Sequence, residues 1–86
     1  MDIIQQVNSL NIDLENLPKP GGSYTAVNTR GNIAYVAIQF PIKNGQIQHP
    51  GRLGDQINKE QGYEAAGICA RNIIGQIQKF IGFENI

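Results

Sequence analysis

The run Ile33-Ala34-Tyr35-Val36-Ala37-Ile38-Gln39-Phe40 is apolar on both of the faces a strand presents. A strand of that kind must be covered on two sides, so it reads as the central strand of a sheet. The chain has 86 residues, and outside this run it offers one long one-sided helix. That helix can cover one face only. A chain this short also buries a smaller fraction of its surface than a full-sized domain does, and an isolated hairpin with open edges is marginal in water. A second copy of the chain is the economical way to supply the missing cover.

Around the central run, the punctuation is clear. Residues 23–29 alternate in the manner of a strand, and Arg30-Gly31-Asn32 is a tight turn in which Gly31 supplies a positive φ. Pro41 ends the apolar run because proline has no N–H for the sheet ladder. Lys43-Asn44-Gly45 is a second turn signal before Gln46-Ile47-Gln48, and 49–57, with Pro50, Gly51 and Gly54, reads as a loop. At the front, Ile3, Ile4, Val7 and Leu10 recur at intervals of three and four, which predicts a short helix capped by Asp2. Residues 11–22 hold Pro18, Pro20 and Gly21-Gly22 and are expected to be an extended or turning linker on the surface.

The last element is a long helix. Asn58 and Gln61 form a capping pair, and Tyr63, Ala66, Ala70, Ile73, Ile74, Ile77, Phe80 and Ile81 give it a broad apolar face, expected to pack on the sheet. Gly82 suits the position just past its end. Gly62, Gly67 and Gly75 each cost about 1 kcal/mol against alanine within a helix, and are read as letting the helix sit close to the sheet. The expected fold class is α+β: one domain over 1–86, with an N-terminal helix at 1–10, strands within 23–48 and the long helix at 58–81.

Composition narrows the function classes. Seven Lys plus Arg balance seven Asp plus Glu, and the cations are scattered singly rather than clustered as phosphate neutralisation requires, so nucleic acid is not favoured. A chain 41% hydrophobic and 16% charged fits neither disorder nor a membrane span. The N-terminus lacks the pattern of a secretory or transit leader. Cys69 is the single cysteine, which excludes an intrachain disulfide and a cysteine-based metal cluster within one chain. The expectation is a cytoplasmic protein with no metal and no cofactor.

The segments Pro20-Gly21-Gly22-Ser23-Tyr24 and Thr29-Arg30-Gly31-Asn32-Ile33-Ala34-Tyr35-Val36, followed by Gln39 and Pro41, resemble the opening of the RidA/YjgF family. Gly51-Arg52-Leu53-Gly54, Glu60-Gln61-Gly62-Tyr63-Glu64-Ala65-Ala66 and Cys69-Ala70-Arg71-Asn72 are similar to its YjgF/chorismate-mutase-like, endoribonuclease (L-PSP) branch, which also carries an N-terminal helix. The resemblance spans nearly the whole chain but only the first half of the family domain, so a truncated gene, a fragment or a natural half-domain is expected. It implies a RidA/chorismate-mutase-like fold and homotrimers with ligand clefts between subunits, or here a dimer of half-domains. It also implies a small carboxylate-bearing metabolite as ligand, and enamine or imine hydrolysis to keto acid and ammonia in active members. The carboxylate-binding arginine of those members belongs to the second half. By resemblance, the first-half cleft positions are Tyr24, Ala37, Ile38 and Gln39. Active members tend to have Ser-Gly-Gln where this chain has Ala37-Ile38-Gln39, a hydroxyl removed and bulk added. The expected function is therefore a RidA-like small-molecule-binding or scaffold protein without efficient catalysis. The alternative is an enamine/imine deaminase or, by family analogy, an endoribonuclease.

Each candidate has a plainer reading beside it. Tyr24 either points its hydroxyl into an inter-subunit cleft or packs a sheet face, and Gln39 either orients a ligand or caps strand backbone beside Pro41. Arg52, in a glycine-flanked loop near the helix start, either meets an anion or is solvated. His49 is the only histidine and reads as a solvated loop residue. Cys69 reads as a buried small side chain within the helix. Lys59, Glu60, Glu64, Arg71 and Lys79 read as the helix's wet face, with Glu60 and Glu64 mildly repelling.

Overall fold

Two short turns set the β-structure. In the computed structural model, which describes residues 2–86, strand β1 (Val27–Arg30) pairs antiparallel with β2 (Ile33–Val36), Arg30 opposite Ile33 and Val27 opposite Val36. The two-residue loop between them opens on Gly31 at φ +58°, as a type II′ hairpin turn requires of its first residue. Strands β3 (Ile42–Lys43) and β4 (Gln46–Ile47) form a second hairpin, with Asn44 and Gly45 at φ +53° and +77°. Positive φ at both positions is the Asn-Gly signature of the type I′ turn.

The helices are closed by their predicted caps. Helix α1 (Ile3–Ser9) begins at Asp2, whose carboxylate accepts the Gln5 N–H at 2.8 Å while the Gln5 side chain accepts the Asp2 N–H at 3.0 Å. Helix α2 (Lys59–Phe80) repeats this box, the Asn58 and Gln61 side chains each accepting the other's backbone N–H at 2.9 Å. At its far end, the Ile81 and Gly82 amides both donate to the Ile77 carbonyl at 2.9 Å, with Gly82 at φ +87°. Only glycine takes that conformation without strain. The chain is thus α+β, two small antiparallel sheets and one long helix.

The apolar run does not become a central strand. Strand β2 stops at Val36 and has β1 as its single neighbour, and Ile33 and Tyr35 are 56% and 57% exposed. Pro41 is the cause. The chain folds tightly around it, the Ile42 amide donating to the Phe40 carbonyl at 2.7 Å, a three-residue turn that ends the run. The first ladder's last bond is from the Ala37 N–H to the Ala26 carbonyl at 2.9 Å, and the Pro41 carbonyl already accepts from Gln48 in the second hairpin.

The face that α2 turns inward also differs from the expected one. Asn72 and Gln76 are buried, Gln76 to 2% exposure, while Tyr63, Ile73 and Phe80 are 68%, 38% and 58% exposed. The buried amides have work that an apolar face could not do. The Asn72 amide nitrogen donates to the Phe40 and Ile42 carbonyls at 3.0 and 3.1 Å, and that of Gln76 donates to the Pro18 carbonyl at 3.0 Å. Arg71 adds a bond to the Leu10 carbonyl at 2.7 Å. The Leu10 and Pro18 carbonyls lie outside both ladders, and buried without a donor each would carry a desolvation cost.

The glycines serve loops rather than the sheet. A Cβ on Gly75 would stand 2.5 Å from Leu17 Cδ2, and one on Gly62 would stand 2.9 Å from Leu53 Cδ1, whereas nothing lies within 4 Å of one on Gly67. The linker is therefore docked on α2, with a 3-10 turn at Leu14–Asn16 and half-buried Ile12, Leu14 and Leu17. Asp13 starts that turn, accepting from the Asn16 side-chain amide at 2.6 Å and the Glu15 N–H at 3.1 Å. The Asn16 bond foremost, then the Glu15 bond, holds its carboxyl below the ordinary carboxylate range.

Ala26 is the sole buried apolar side chain among the described residues. The accessible surface is 6442 Å², against about 5,000 Å² for a folded monomer of this mass. The radius of gyration is 14.1 Å, where a compact chain of this length has about 12 Å. No helix among the described residues is long and apolar enough to cross a membrane.

Asn72→Leu preserves bulk but removes the donor to both carbonyls beside Pro41. It should lower stability by about 1–3 kcal/mol in urea unfolding at fixed protein concentration, with helical circular dichroism retained. An unchanged midpoint would show that these bonds do not hold the β3–β4 hairpin and the connection before it to the helix.

Candidate functional site

The linker and the β2–β3 connection approach each other above α2 and leave a narrow, open cleft with a cavity volume of about 10 Å³. One wall is 18–20, with two prolines of fixed φ and the Pro18 carbonyl held by Gln76. The other is the turn through Ile38, Gln39 and Phe40, held through Asn72. Ala26 closes the floor.

Tyr24 stands between the walls. Its hydroxyl oxygen accepts the Gly21 N–H at 3.0 Å, and its ring lies over Gly22, where a Cβ would approach to 3.4 Å. A phenol used as an acceptor keeps its own O–H to donate. Gln39 turns its amide nitrogen to the Ala37 carbonyl at 3.3 Å, which leaves its side-chain oxygen without that bond. Lys19 brings one positive charge to the lining. The cleft thus offers a phenol, an amide and an ammonium over an apolar floor, a set suited to holding a small polar or anionic group. Its lining contains no carboxylate, histidine or cysteine, the groups that most often move protons or attack carbon.

Of the residues singled out in the sequence, Tyr24, Ile38 and Gln39 come together here. Ala37 lies beside the cleft, half-buried, its N–H donating to the Ala26 carbonyl at 2.9 Å. Arg52 is exposed in the loop before α2, outside the cleft lining, and its backbone N–H donates to the Gln56 side chain at 2.6 Å. Cys69 is half-buried.

His49 has a partner that sequence reading did not locate. Its Nε2 lies 2.6 Å from Glu64 Oε2, the two side chains 24% and 68% exposed, and its backbone is at φ +53°. Glu64 therefore ties the 48–51 loop to the first turns of α2 instead of standing free on the wet face. Gln76 was also missed as a cleft residue. Its signal is the uncharged amide pair Asn72 and Gln76, four apart on one helix line. Among the described residues, no three His, Cys, Asp or Glu side chains converge as a metal site would need.

Compared with family models, with curated proteins and with solved structures, the chain matches none.

Glu64→Ala should release the His49 loop with little effect on global stability, since an exposed pair contributes about 0.2–1 kcal/mol. Amide hydrogen exchange should quicken in 48–53 while the rest of the chain keeps its protection. Unchanged exchange there would show that the contact does not order the loop.

Proposed function

We propose that this chain is a RidA/YjgF-like small-molecule-binding or scaffold subunit, homo-oligomeric, whose ligand is a small carboxylate-bearing metabolite held in the Tyr24 cleft. The observation that carries this reading is the convergence of Tyr24, Ile38 and Gln39 on one cleft. Those residues were selected by resemblance to the family's first-half cleft positions, and they are separated along the chain by a whole hairpin. The Tyr24 hydroxyl and the Lys19 ammonium suit a carboxylate, one by hydrogen bonding and the other by charge.

The cleft's size supports a shared site. Within one chain its cavity volume is about 10 Å³, room for about one water and far below the roughly 300–1,000 Å³ of ordinary small-molecule pockets, so a ligand site there needs walls from a neighbouring copy. Ile38 on its wall is 62% exposed and Phe40 beside it 43% exposed, surfaces that a neighbouring copy would cover while completing the enclosure. Binding without efficient turnover follows from the lining, which lacks a general base, and from Ala37-Ile38 in place of a hydroxyl and a glycine. The RidA/chorismate-mutase-like architecture and the cytoplasmic setting belong to the same proposal.

Titration with pyruvate, followed by amide and side-chain NMR, tests it. Shifts should concentrate at Tyr24, Gln39 and Lys19. Tyr24→Phe should weaken binding by about fivefold, the worth of roughly 1 kcal/mol for one hydrogen bond. Absence of any shift at millimolar ligand would overturn the binding reading, and sustained ammonia release from a freshly generated 2-imino acid would replace it with a deaminase.

A further inference from the structure

The outward side of α2 carries Tyr63, Ala66, Ala70, Ile73, Ile77 and Phe80, spaced three, four, three, four and three. That is the a/d repeat by which two helices pack knobs into holes. Tyr63, Ala66, Ala70, Ile73 and Phe80 are exposed and Ile77 is half-buried. The line lies roughly 110° around the helix from the line on which Asn72 and Gln76 grip the rest of the chain. Beside it, Gly67 has open space where a Cβ would be, which allows a neighbouring backbone to come close.

The order of sizes along this line fixes a direction. An aromatic ring stands at each end, two alanines fill the first half and two isoleucines the second. Laid antiparallel on itself, the line sets Tyr63 against Phe80, Ala66 against Ile77 and Ala70 against Ile73, so every small side chain meets a large one. Laid parallel, alanine meets alanine and leaves a void, while each ring meets its own copy. Each end of the helix carries both signs, Lys59 with Glu60 and Lys79 with Glu84, so charge permits this arrangement and the order of sizes sets its direction.

We infer that α2 pairs antiparallel with α2 of a second copy through this seam. The inference deepens the homo-oligomeric reading above and presupposes self-association, though not any ligand. Area supports the second copy as occupant. The surface of 6442 Å² exceeds that of a monomer of this mass by roughly 1,400 Å², more than the about 800 Å² that each partner gives up in a standard interface.

Light scattering coupled to size exclusion, over a concentration series of the full chain, tests the pairing with Ala70→Glu as the variant. Ala70 is exposed within one chain, so the variant should keep its circular dichroism. The wild type should show a dimer or an even multiple, and Ala70→Glu should weaken association at least about tenfold by placing charges in an apolar seam. Equal association of both proteins would mean that the copies meet elsewhere, and the seam would be wrong while self-association stood. A wild type monomeric at every concentration would overturn self-association itself. A monomer that Ala70→Glu unfolds would mean that the chain covers its own seam, which also overturns the pairing. For direction, a spin label on Glu60→Cys in a Cys69→Ala background should report a separation on the order of 35 Å, from the helical rise between level 60 and level 83. A separation of about 10 Å, the spacing of packed helices, would overturn the antiparallel arrangement.

Discussion

Asn72 donates to the carbonyls on either side of Pro41, and Gln76, one turn later on the same helix line, donates to the carbonyl of Pro18. These three bonds join the one long helix to the β3–β4 hairpin, to the connection that leads into it and to the linker. Elsewhere in a small domain such joining is done by a hydrophobic core, but here a single apolar side chain is buried among the described residues. The geometry is demanding in a way that a core is not. An amide oxygen in place of the nitrogen, or a carboxylate in place of the amide, would set acceptor against acceptor at a buried position. The cleft inherits that demand, because one wall is pinned by each amide.

What sequence reading recovers is whatever one segment decides alone. The capping boxes at Asp2–Gln5 and Asn58–Gln61, the glycine end of α2 and both hairpin turns depend on residues within a few positions of one another, so their chemistry is visible in the order of residues. The long apolar stripe of α2 was visible too. Its partner was not, since periodicity tells which residues share a face and nothing about what that face meets. The stripe was assigned to the chain's own sheet, but the sheet is two separate hairpins, and the neighbouring line of Asn72 and Gln76 is the one that turns inward.

The site was legible to a similar depth. Tyr24, Ile38 and Gln39 were chosen from motif resemblance and meet at one cleft, because the β1–β2 hairpin, continued by the bond from the Ala37 N–H to the Ala26 carbonyl, runs the end of the apolar run back beside the Gly-rich segment. Arg52 belongs to a loop whose bonds, from its own N–H to Gln56 and from Ile57 to its carbonyl, are internal, and nothing in that loop's sequence tells which way it turns. The contact between His49 and Glu64 crosses a sequence gap filled by this loop, so no local pattern announces it.

The two-residue hairpin turns have a kinetic consequence. Each hairpin closes over the shortest connection a sheet allows, and α2 is bounded by caps that its own residues supply, so nearly every element can form without waiting for a distant one. Such elements assemble within microseconds, and chains dominated by local contacts fold fast. The proposed joining of copies would be bimolecular and would follow at a rate set by concentration. In dilute conditions the chain would spend its time with its secondary structure made and its apolar faces still bare, so the concentration at which it is made decides whether those faces meet each other or something else.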